Sequence, residues 1–547
     1  MLDQRMQRFV ITILNLDWLD GSTELFASYQ QFLVELLVAH NYYTVRTLER
    51  LFSLFNKVSK DPDVWPTADP SENEIKCFTM IHEAIAQVLR VIPMAGDLVL
   101  KIATSTFPYM RRSPKEHQVI VYNLLRICQY QPILRPHLLA LIISRMVTID
   151  VQIPRELIED EDSEDSDVEE SMDTESSALF SMDDVQPSMS QMDTSSCSSR
   201  SEHRREMKIP MAQTLDVLME QMFSFIERLC PSEDVLPNYW VRHRVLYREL
   251  CDIFETQLLL THGSHHVQFI MFYLCSIRPP TLVDHFVGWL WSRVIQPGET
   301  AVLRQSAVCY VASLLARAKF ASPRVLRTML RQMSDWCHAY VAAQQDATSC
   351  DVRQHPVFYT VCQALFYVVA FRHADLVNTN KGLLWTQALG LGKLVTSRLN
   401  PLKPCLPGVA KNFAAVTRTY QLAYCYTVLE RNARAVLPCV NHHSGQTLST
   451  RLSTFFPFDP YLLRRSSRFI SAEYREYEAL EQPAGAAVTT TAASDGEETH
   501  CTDDEEEAHS PMVTKNSMSP CSLRHLVSPK SFPEMFSYGT SPGFKNV

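Results

Sequence analysis

Three apolar segments decide the fold of this chain: HVQFIMFYLCS (residues 266–276), RQSAVCYVASLLARAKF (residues 304–320) and FYTVCQALFYVVAFRH (residues 358–373). Each has the length and composition of a helix with almost uninterrupted apolar and aromatic content. Such a helix cannot bury its surface alone, so it needs neighbouring helices stacked against it. The segments therefore predict an all-α protein built from packed helices.

Helical periodicity extends on both sides of these segments, from about residue 210 to about residue 430. One helix is predicted over residues 215–226, and paired helices follow it: residues 241–260 with 265–277, 282–295 with 301–319, 324–342 with 357–373, and 382–398 with 408–430. The first three pairs begin at residues 241, 282 and 324, close to the period of roughly 40–47 residues in HEAT-type repeats. Residues 209–482 are therefore predicted to form an irregular HEAT-like α-solenoid. The aromatic, proline-containing segment at residues 455–461 cannot be one helix, and we expect it to pack against the end of the array.

Residues 1–153 are predicted to form a first set of HEAT-like helices. Leu25, Tyr29, Leu33 and Leu36 recur at three- and four-residue steps, which is the pattern of one buried helix face. Prolines fall between the periodic runs, where they end one helix or begin the next.

The charge of the chain is unevenly distributed. Residues 156–193 hold fifteen acidic residues and no Lys or Arg, and residues 483–547 hold nine acidic and four basic residues. These two stretches carry formal charges of −15 and −5. Because the whole chain has a formal charge of −10, the rest of it carries +10. We expect residues 154–208 to be a disordered acidic and serine-rich insert and residues 483–547 to be a disordered tail. The basic body suits a protein that works beside DNA or acidic partner surfaces.

No catalytic, metal or cofactor motif is found. The fifteen cysteines include no Cys-x-x-Cys pair, and Gly390-Leu391-Gly392-Lys393 lacks the spacing of a phosphate-binding loop. His265-His266 and His442-His443 are adjacent pairs, which are poor joint metal ligands on a helix. No run of about eighteen uncharged apolar residues is present, so no membrane segment is predicted. We expect a soluble intracellular protein that is not an enzyme and needs no cofactor.

Basic and serine-containing stretches are the candidate functional residues. Arg111, Arg112, Ser113 and Lys115 form a compact cationic turn that is predicted to bind an acidic partner or nucleic-acid phosphates. Smaller basic clusters follow near residues 317–331, 398–411 and 464–468. The basic residues do not alternate with aromatic ones, so sequence-specific nucleic-acid reading is not expected. The phosphorylation candidates are Ser113, Ser163, Ser166, Ser467, Ser510, Ser519, Ser528 and Ser541.

Several further segments make the chain resemble a known family. They are FPYMRRSP (residues 107–114), SRLNPLKPCLP (residues 397–407), AYCYTVLERN (residues 423–432) and TFFPFDPYLL (residues 454–463), together with the three apolar segments. In this order they resemble the RNA polymerase I-specific transcription initiation factor family. Family members usually carry further sequence before the point where this chain starts.

The resemblance implies a HEAT-repeat adaptor without enzymatic activity. Such a factor bridges RNA polymerase I, through its stalk and neighbouring surface, to the promoter-bound selectivity (core) factor complex, and it enables ribosomal RNA synthesis. It also implies regulation by kinases and localisation to the nucleus and nucleolus. A homodimer of the free protein remains open, as do two other functions: a HEAT-type transport adaptor, or a helical regulatory subunit of an enzyme complex.

Overall fold

The computed structural model describes residues 4–19, 21–59, 62–159, 207–230, 239–278, 281–344, 351–434, 452 and 456–478. These residues belong to one compact unit. They contain no strand beyond an isolated antiparallel bridge between Ala318 and Tyr474. The helices in this part of the chain are α1 (Gln4–Leu14), α2 (Thr23–Ala39), α3 (Thr44–Val58), α4 (Glu72–Val91), α5 (Gly96–Thr106), α6 (Pro114–Tyr130), α7 (Arg135–Gln152), α8 (Pro210–Leu229), α9 (Tyr239–Ile253), α10 (Phe269–Ile277), α11 (Thr281–Ile295), α12 (Ala301–Arg317), α13 (Pro323–Ala343), α14 (Pro356–Phe371), α15 (His373–Val377), α16 (Asn380–Gln387), α17 (Leu391–Val395), α18 (Pro407–Thr419) and α19 (Tyr426–Arg434).

The N-terminal helices pack as neighbouring layers. Helix α3 packs against α4 and α5, and α6 packs against α7. Local sequence defines where several of these helices begin: Ser22 caps α2, and Ser71 forms a capping box with Glu74 at the start of α4. A serine at this position satisfies an N–H group that the first turn leaves unpaired, so the chain enters the helix at a fixed residue.

Three helices form the centre of the unit. Every residue of α14 from Val357 to Phe371 is buried, as is every residue of α12 from Ser306 to Arg317. Helix α8 is buried continuously from Ala212 to Phe223. Helix α12 packs between α11 and α14, while α8 joins the N-terminal layers by packing on α6 and α7. The uninterrupted apolar content of these segments follows from this position, since helices surround them on several sides.

The predicted all-α, irregular repeat architecture is confirmed. The first three predicted pairs correspond to α9 with α10, α11 with α12, and α13 with α14. Helix α9 continues through one π-helical turn at Phe254–Leu258, which accounts for the predicted extension to residue 260.

The fourth predicted pair is wrong as two continuous helices. Residues 380–395 form two short helices, α16 and α17, because Gly390 adopts a left-handed conformation (φ 67°) between them. The second predicted helix ends at Thr419 as α18, and Gln421 follows with φ 53°. A residue in this region of φ cannot continue a right-handed helix, so the chain turns before α19 begins.

The boundaries of the predicted disordered regions are only partly described. Residues 155–159 are helical with a buried Ile158, so described structure extends past the predicted boundary at residue 153. Structure resumes at Met207, whose backbone N–H donates to Gln213 Oε1 at 2.7 Å. Residues 160–206 and 479–547 lie outside the described residues, and the predicted disorder there stays a prediction.

Residues 456–478, the return segment, run back across the middle of the array. Phe458 is fully buried against the rings of Phe269 and Phe272 on α10, each with a centroid distance of 5.4 Å. Eight residues further on, the hydroxyl of Ser466 donates to Asp216 of α8 at 2.5 Å. The prediction that the aromatic segment covers the end of the array is therefore wrong. Helical periodicity carries no information about where a non-helical segment packs.

Candidate partner-binding surface

The predicted cationic turn lies in the loop between α5 and α6. The side chains of Arg111, Arg112 and Ser113 are exposed. The loop closes with a hydrogen bond from Arg112 N to Tyr109 O at 2.8 Å. Neither arginine pairs with a carboxylate among the described residues, so both guanidinium groups are available to an external acidic group.

Ser113 also has a structural role, because it is the N-cap of α6. Its Oγ accepts a hydrogen bond from Glu116 N at 3.3 Å. His117 Nδ1 lies 3.1 Å from the Ser113 carbonyl oxygen. Burial lowers the pKa of His117, so this imidazole is neutral at pH 7 and adds no charge to the surface.

Lys115 is separated from the other three residues. It occupies the second position of α6 and is buried, with Nζ 4.6 Å from the centroid of the Trp65 ring. A cation over an indole face is held by the ring quadrupole, which explains why a lysine is tolerated here. The structure thus places three of the four predicted residues on one surface and Lys115 inside it.

An aromatic groove adjoins the exposed arginines. Phe107, Tyr109 and Met110 line it from the loop, and Arg145 of α7 lines it from the opposite side. The Tyr109 side chain is 64% exposed, and the Arg145 guanidinium lies 5.7 Å from the centroid of the Phe107 ring. The loop and α7 together form a surface that combines apolar rings with exposed cations. This combination suits a partner segment with acidic and apolar side chains.

Two of the smaller basic clusters each contain one arginine that is buried or nearly so. Arg317 is completely buried between the rings of Phe371 and Tyr474, with its guanidinium 4.7 Å and 5.3 Å from their centroids. Arg465 forms an ion pair with the buried Glu220 of α8. These arginines fasten the return segment to the helical array, and they do not belong to a surface that meets partners.

The phosphorylation candidates fall into two groups. Ser467 is half-buried, and its hydroxyl donates to the Arg464 carbonyl oxygen at 2.7 Å. Ser113 is exposed, as described above. The remaining candidates lie outside the described residues: Ser163, Ser166, Ser510, Ser519, Ser528 and Ser541.

Sequence reasoning missed the buried carboxylates that join distant parts of the chain. Asp150 of α7 accepts hydrogen bonds from the backbone N–H groups of His265 and His266, both at 2.9 Å. Asp216 of α8 accepts from the backbone N–H of Ser466 at 2.8 Å. For Asp150 a signal was present, because it lies on an otherwise apolar helix face. An acidic residue there needs a buried donor from elsewhere in the chain.

Among the described residues, no three His, Cys, Asp or Glu side chains are grouped as metal ligands. None of the described helices has the length and apolar content that crossing a membrane requires. Stacked helices that expose a cationic and aromatic loop edge are the architecture of a helical-repeat scaffold. The comparisons with known proteins identify the family within that class.

The chain matches the family described as RNA polymerase I specific transcription initiation factor RRN3 over residues 1–482. It is 36% identical over 490 residues to the Mus musculus RNA polymerase I-specific transcription initiation factor RRN3, covering 87% of this chain and 73% of that relative. A Schizosaccharomyces pombe factor of the same description is 26% identical over 498 residues, covering 88% and 78% of the two chains. The crystal structure of RNA polymerase I transcription initiation factor Rrn3 has a similar fold, with a TM-score of 0.66, 20% identity and 86% of each chain covered. The chain belongs to the RRN3 family of RNA polymerase I-specific transcription initiation factors.

Proposed function

We propose that this protein binds RNA polymerase I, makes it competent to initiate, and bridges it to the promoter-bound selectivity (core) factor complex. It performs this role by contact alone, without catalysis, in the nucleolus. The observation that carries the proposal is the match to the RRN3 family over residues 1–482, together with the name of the Mus musculus relative.

The polymerase stalk and its neighbouring surface bind at the exposed edge formed by Arg111, Arg112 and the adjoining aromatic groove. Two guanidinium groups, neither of them paired with a carboxylate of the described residues, attract an acidic surface and speed its association. The exposed Tyr109 ring then supplies apolar contact area at a small entropic cost, since it has few rotatable bonds.

Phosphorylation regulates this contact. A phosphate on Ser113 would add about −1.5 to −2 charges next to Arg111 and Arg112, and it would oppose their attraction to an acidic surface. At the same time, a negative group at the start of α6 is compatible with the helix dipole, so the modification would leave the helix intact. Ser163, Ser166, Ser467 and the tail serines are further phosphorylation sites in this proposal.

Charge reversal tests the polymerase contact. In the full-length protein, Arg111→Glu with Arg112→Glu is expected to reduce co-purification with purified RNA polymerase I by about tenfold or more, because it replaces attraction by repulsion. The matched control is Lys381→Glu with Lys393→Glu, which changes the charge by the same amount at two exposed lysines of α16 and α17. Polymerase binding that is equal in both variants would contradict the assignment of this edge.

Ser113→Asp separates capping from charge. Aspartate is as good an N-cap as serine, so α6 keeps its start while the surface gains a negative charge. We expect weaker polymerase binding with an unchanged melting temperature. A variant that binds as strongly as the wild type would remove Ser113 from the regulatory proposal.

A further inference from the structure

The edge of the array opposite the polymerase-binding edge carries a second exposed surface. Helix α6 has 17 residues, so its two ends are about 25 Å apart. The loop with Arg111 and Arg112 precedes this helix, and the loop of residues 131–134 follows it. Two partners that bind at these loops would therefore not compete for the same atoms.

Two neighbouring loops on this opposite edge expose large apolar side chains. Met94, between α4 and α5, is 88% exposed, and Ile133, between α6 and α7, is 81% exposed. The loops touch each other, since a Cβ atom placed on Gly96 would lie 3.0 Å from Leu134 Cδ2. The two apolar side chains thus belong to one stretch of surface.

Helix α9 continues this surface with a regular face. Val241 and Val245 are 58% and 40% exposed, and with Arg244 and Arg248 they line one shallow groove. Their spacing of three and four residues places all four side chains on one side of the helix. Helix α9 is fixed beside the loop of Ile133, because Glu249 forms a two-pronged ion pair with Arg135 at 2.7 and 2.9 Å.

We propose that this ridge (Met94, Ile133, Val241, Arg244, Val245 and Arg248) docks an acidic amphipathic helix of a second partner protein. The inference rests on the proposed function, in which the polymerase occupies the other edge and the selectivity complex is bound at the same time. The acidic helix belongs to that complex.

The chemistry of the ridge selects this occupant. Neither Arg244 nor Arg248 has a carboxylate partner among the described residues, so both guanidinium groups can pair with acidic side chains of a partner. Valines four residues apart match the apolar positions of a helix laid along them, as in helix-in-groove recognition. Nucleic acid fits less well, because its phosphates would lose their hydration against the valines without forming a compensating polar contact there. A second copy of the same face would bring arginines against arginines in a two-fold contact.

Two variants of the full-length chain test the ridge. Val241→Asp with Val245→Asp removes apolar contact, and Arg244→Glu with Arg248→Glu reverses charge. All of these side chains are exposed, so neither variant disturbs the core, and an unchanged melting temperature verifies it. The matched control is again Lys381→Glu with Lys393→Glu. Binding of each variant to the purified promoter-bound selectivity complex and to purified RNA polymerase I is measured separately.

Both ridge variants are expected to lose about tenfold in affinity for the selectivity complex and to retain polymerase binding. The charge reversal should also flatten the salt dependence of that affinity, because exposed ion pairs are screened by salt. Unchanged affinity for the selectivity complex would overturn the inference. So would loss of polymerase binding instead, or conversion of a wild-type dimer to monomer in sedimentation. The Arg111→Glu, Arg112→Glu variant reports on the proposed function independently, since it tests the opposite edge.

Discussion

Replacing a buried aspartate by asparagine is expected to change the pH dependence of the free energy of unfolding in opposite directions at Asp150 and Asp216. Asp150 lies at the end of α7 and is bound by the hydroxyl of Ser264 (2.7 Å), by His266 Nδ1 (2.9 Å) and by backbone N–H groups of the turn before α10. Replacing it by asparagine keeps the shape of the side chain but removes the charge. Hydrogen bonds to an ionised carboxylate are stronger than hydrogen bonds to a neutral amide oxygen, so this substitution weakens the contact between α7 and the turn before α10.

The pKa of Asp150 gives the magnitude. Burial alone would raise it, but the hydrogen bond and charge of His266, with the Ser264 hydroxyl and backbone donors, lower it from 3.8 to about 2. At 1.36 kcal/mol per pKa unit, the ionised carboxylate contributes about 2 to 3 kcal/mol to the free energy of unfolding at neutral pH. Because the pKa is lower in the folded state, this contribution is present above about pH 4 and is lost as the pH falls towards 2.

Asp216 is the matched control, with a shift in the other direction. Burial raises its pKa above 3.8 and outweighs the hydrogen bonds from Ser466 and Arg465. The folded state therefore holds the proton more tightly than the unfolded state. The ionised form is the less favourable one, and the wild type gains stability when the carboxyl group is protonated at low pH.

Urea unfolding of Asp150→Asn and Asp216→Asn, followed by tryptophan fluorescence between pH 7.5 and 3, measures both effects. At pH 7.5 we expect Asp150→Asn to lose about 2 to 3 kcal/mol more than Asp216→Asn. As the pH falls, the difference from wild type should shrink for Asp150→Asn and grow for Asp216→Asn. Parallel pH profiles for the two variants would refute the reasoning.

Three further predictions concern the cap, the core and the thiols. Ser113→Ala should lower the free energy of unfolding by about 1 kcal/mol, because α6 loses its N-cap. Ser113→Asp should leave it unchanged, because aspartate caps the helix equally well. Thermal melting of the two variants, measured side by side, tests this difference. Phe458→Ala should cost about 3 to 5 kcal/mol in urea unfolding, since a fully buried ring between α10 and α12 is removed, and a loss below 1 kcal/mol would contradict that packing. Burial raises the pKa of the thiols of Cys275 and Cys362 well above the usual value, so mass spectrometry after alkylation of the native protein at pH 8 should find neither residue labelled. Rapid labelling of either thiol would mean that its helix is not packed as described.

The helical pairs were predictable from the sequence because each buried segment is long and apolar on all sides. The apolar content of α12 and α14 extends around the whole helix, so each requires packing partners on several sides. The regular spacing of the first three pairs predicts that neighbouring helices are those partners. The fourth pair failed because one backbone angle, the φ of 67° at Gly390, decides whether a helix continues. Glycine adopts both hands of φ with similar ease, so its presence alone does not reveal which one is used.

The candidate surface was only partly predictable for a different reason. Charge and turn residues located Arg111, Arg112 and Ser113, since a loop between two helices exposes its side chains to solvent. Lys115 looks equivalent in the sequence, but the first turn of α6 directs it over Trp65, a residue fifty positions earlier. The ridge on the opposite edge escaped notice because its members come from three separate segments, and only tertiary packing brings them together.

The return segment has a consequence for biosynthesis. Asp216 of α8 is satisfied by Ser466, which follows it by 250 residues. At roughly 5–20 residues per second, the ribosome needs about 12 to 50 s to make the intervening chain. During that interval the nascent α8 exposes a carboxylate pair, Asp216 and Glu220, whose final partners do not yet exist. Chaperones that bind incomplete chains therefore have a defined window in which to act on this protein, and that window closes only when Arg465 and Ser466 emerge.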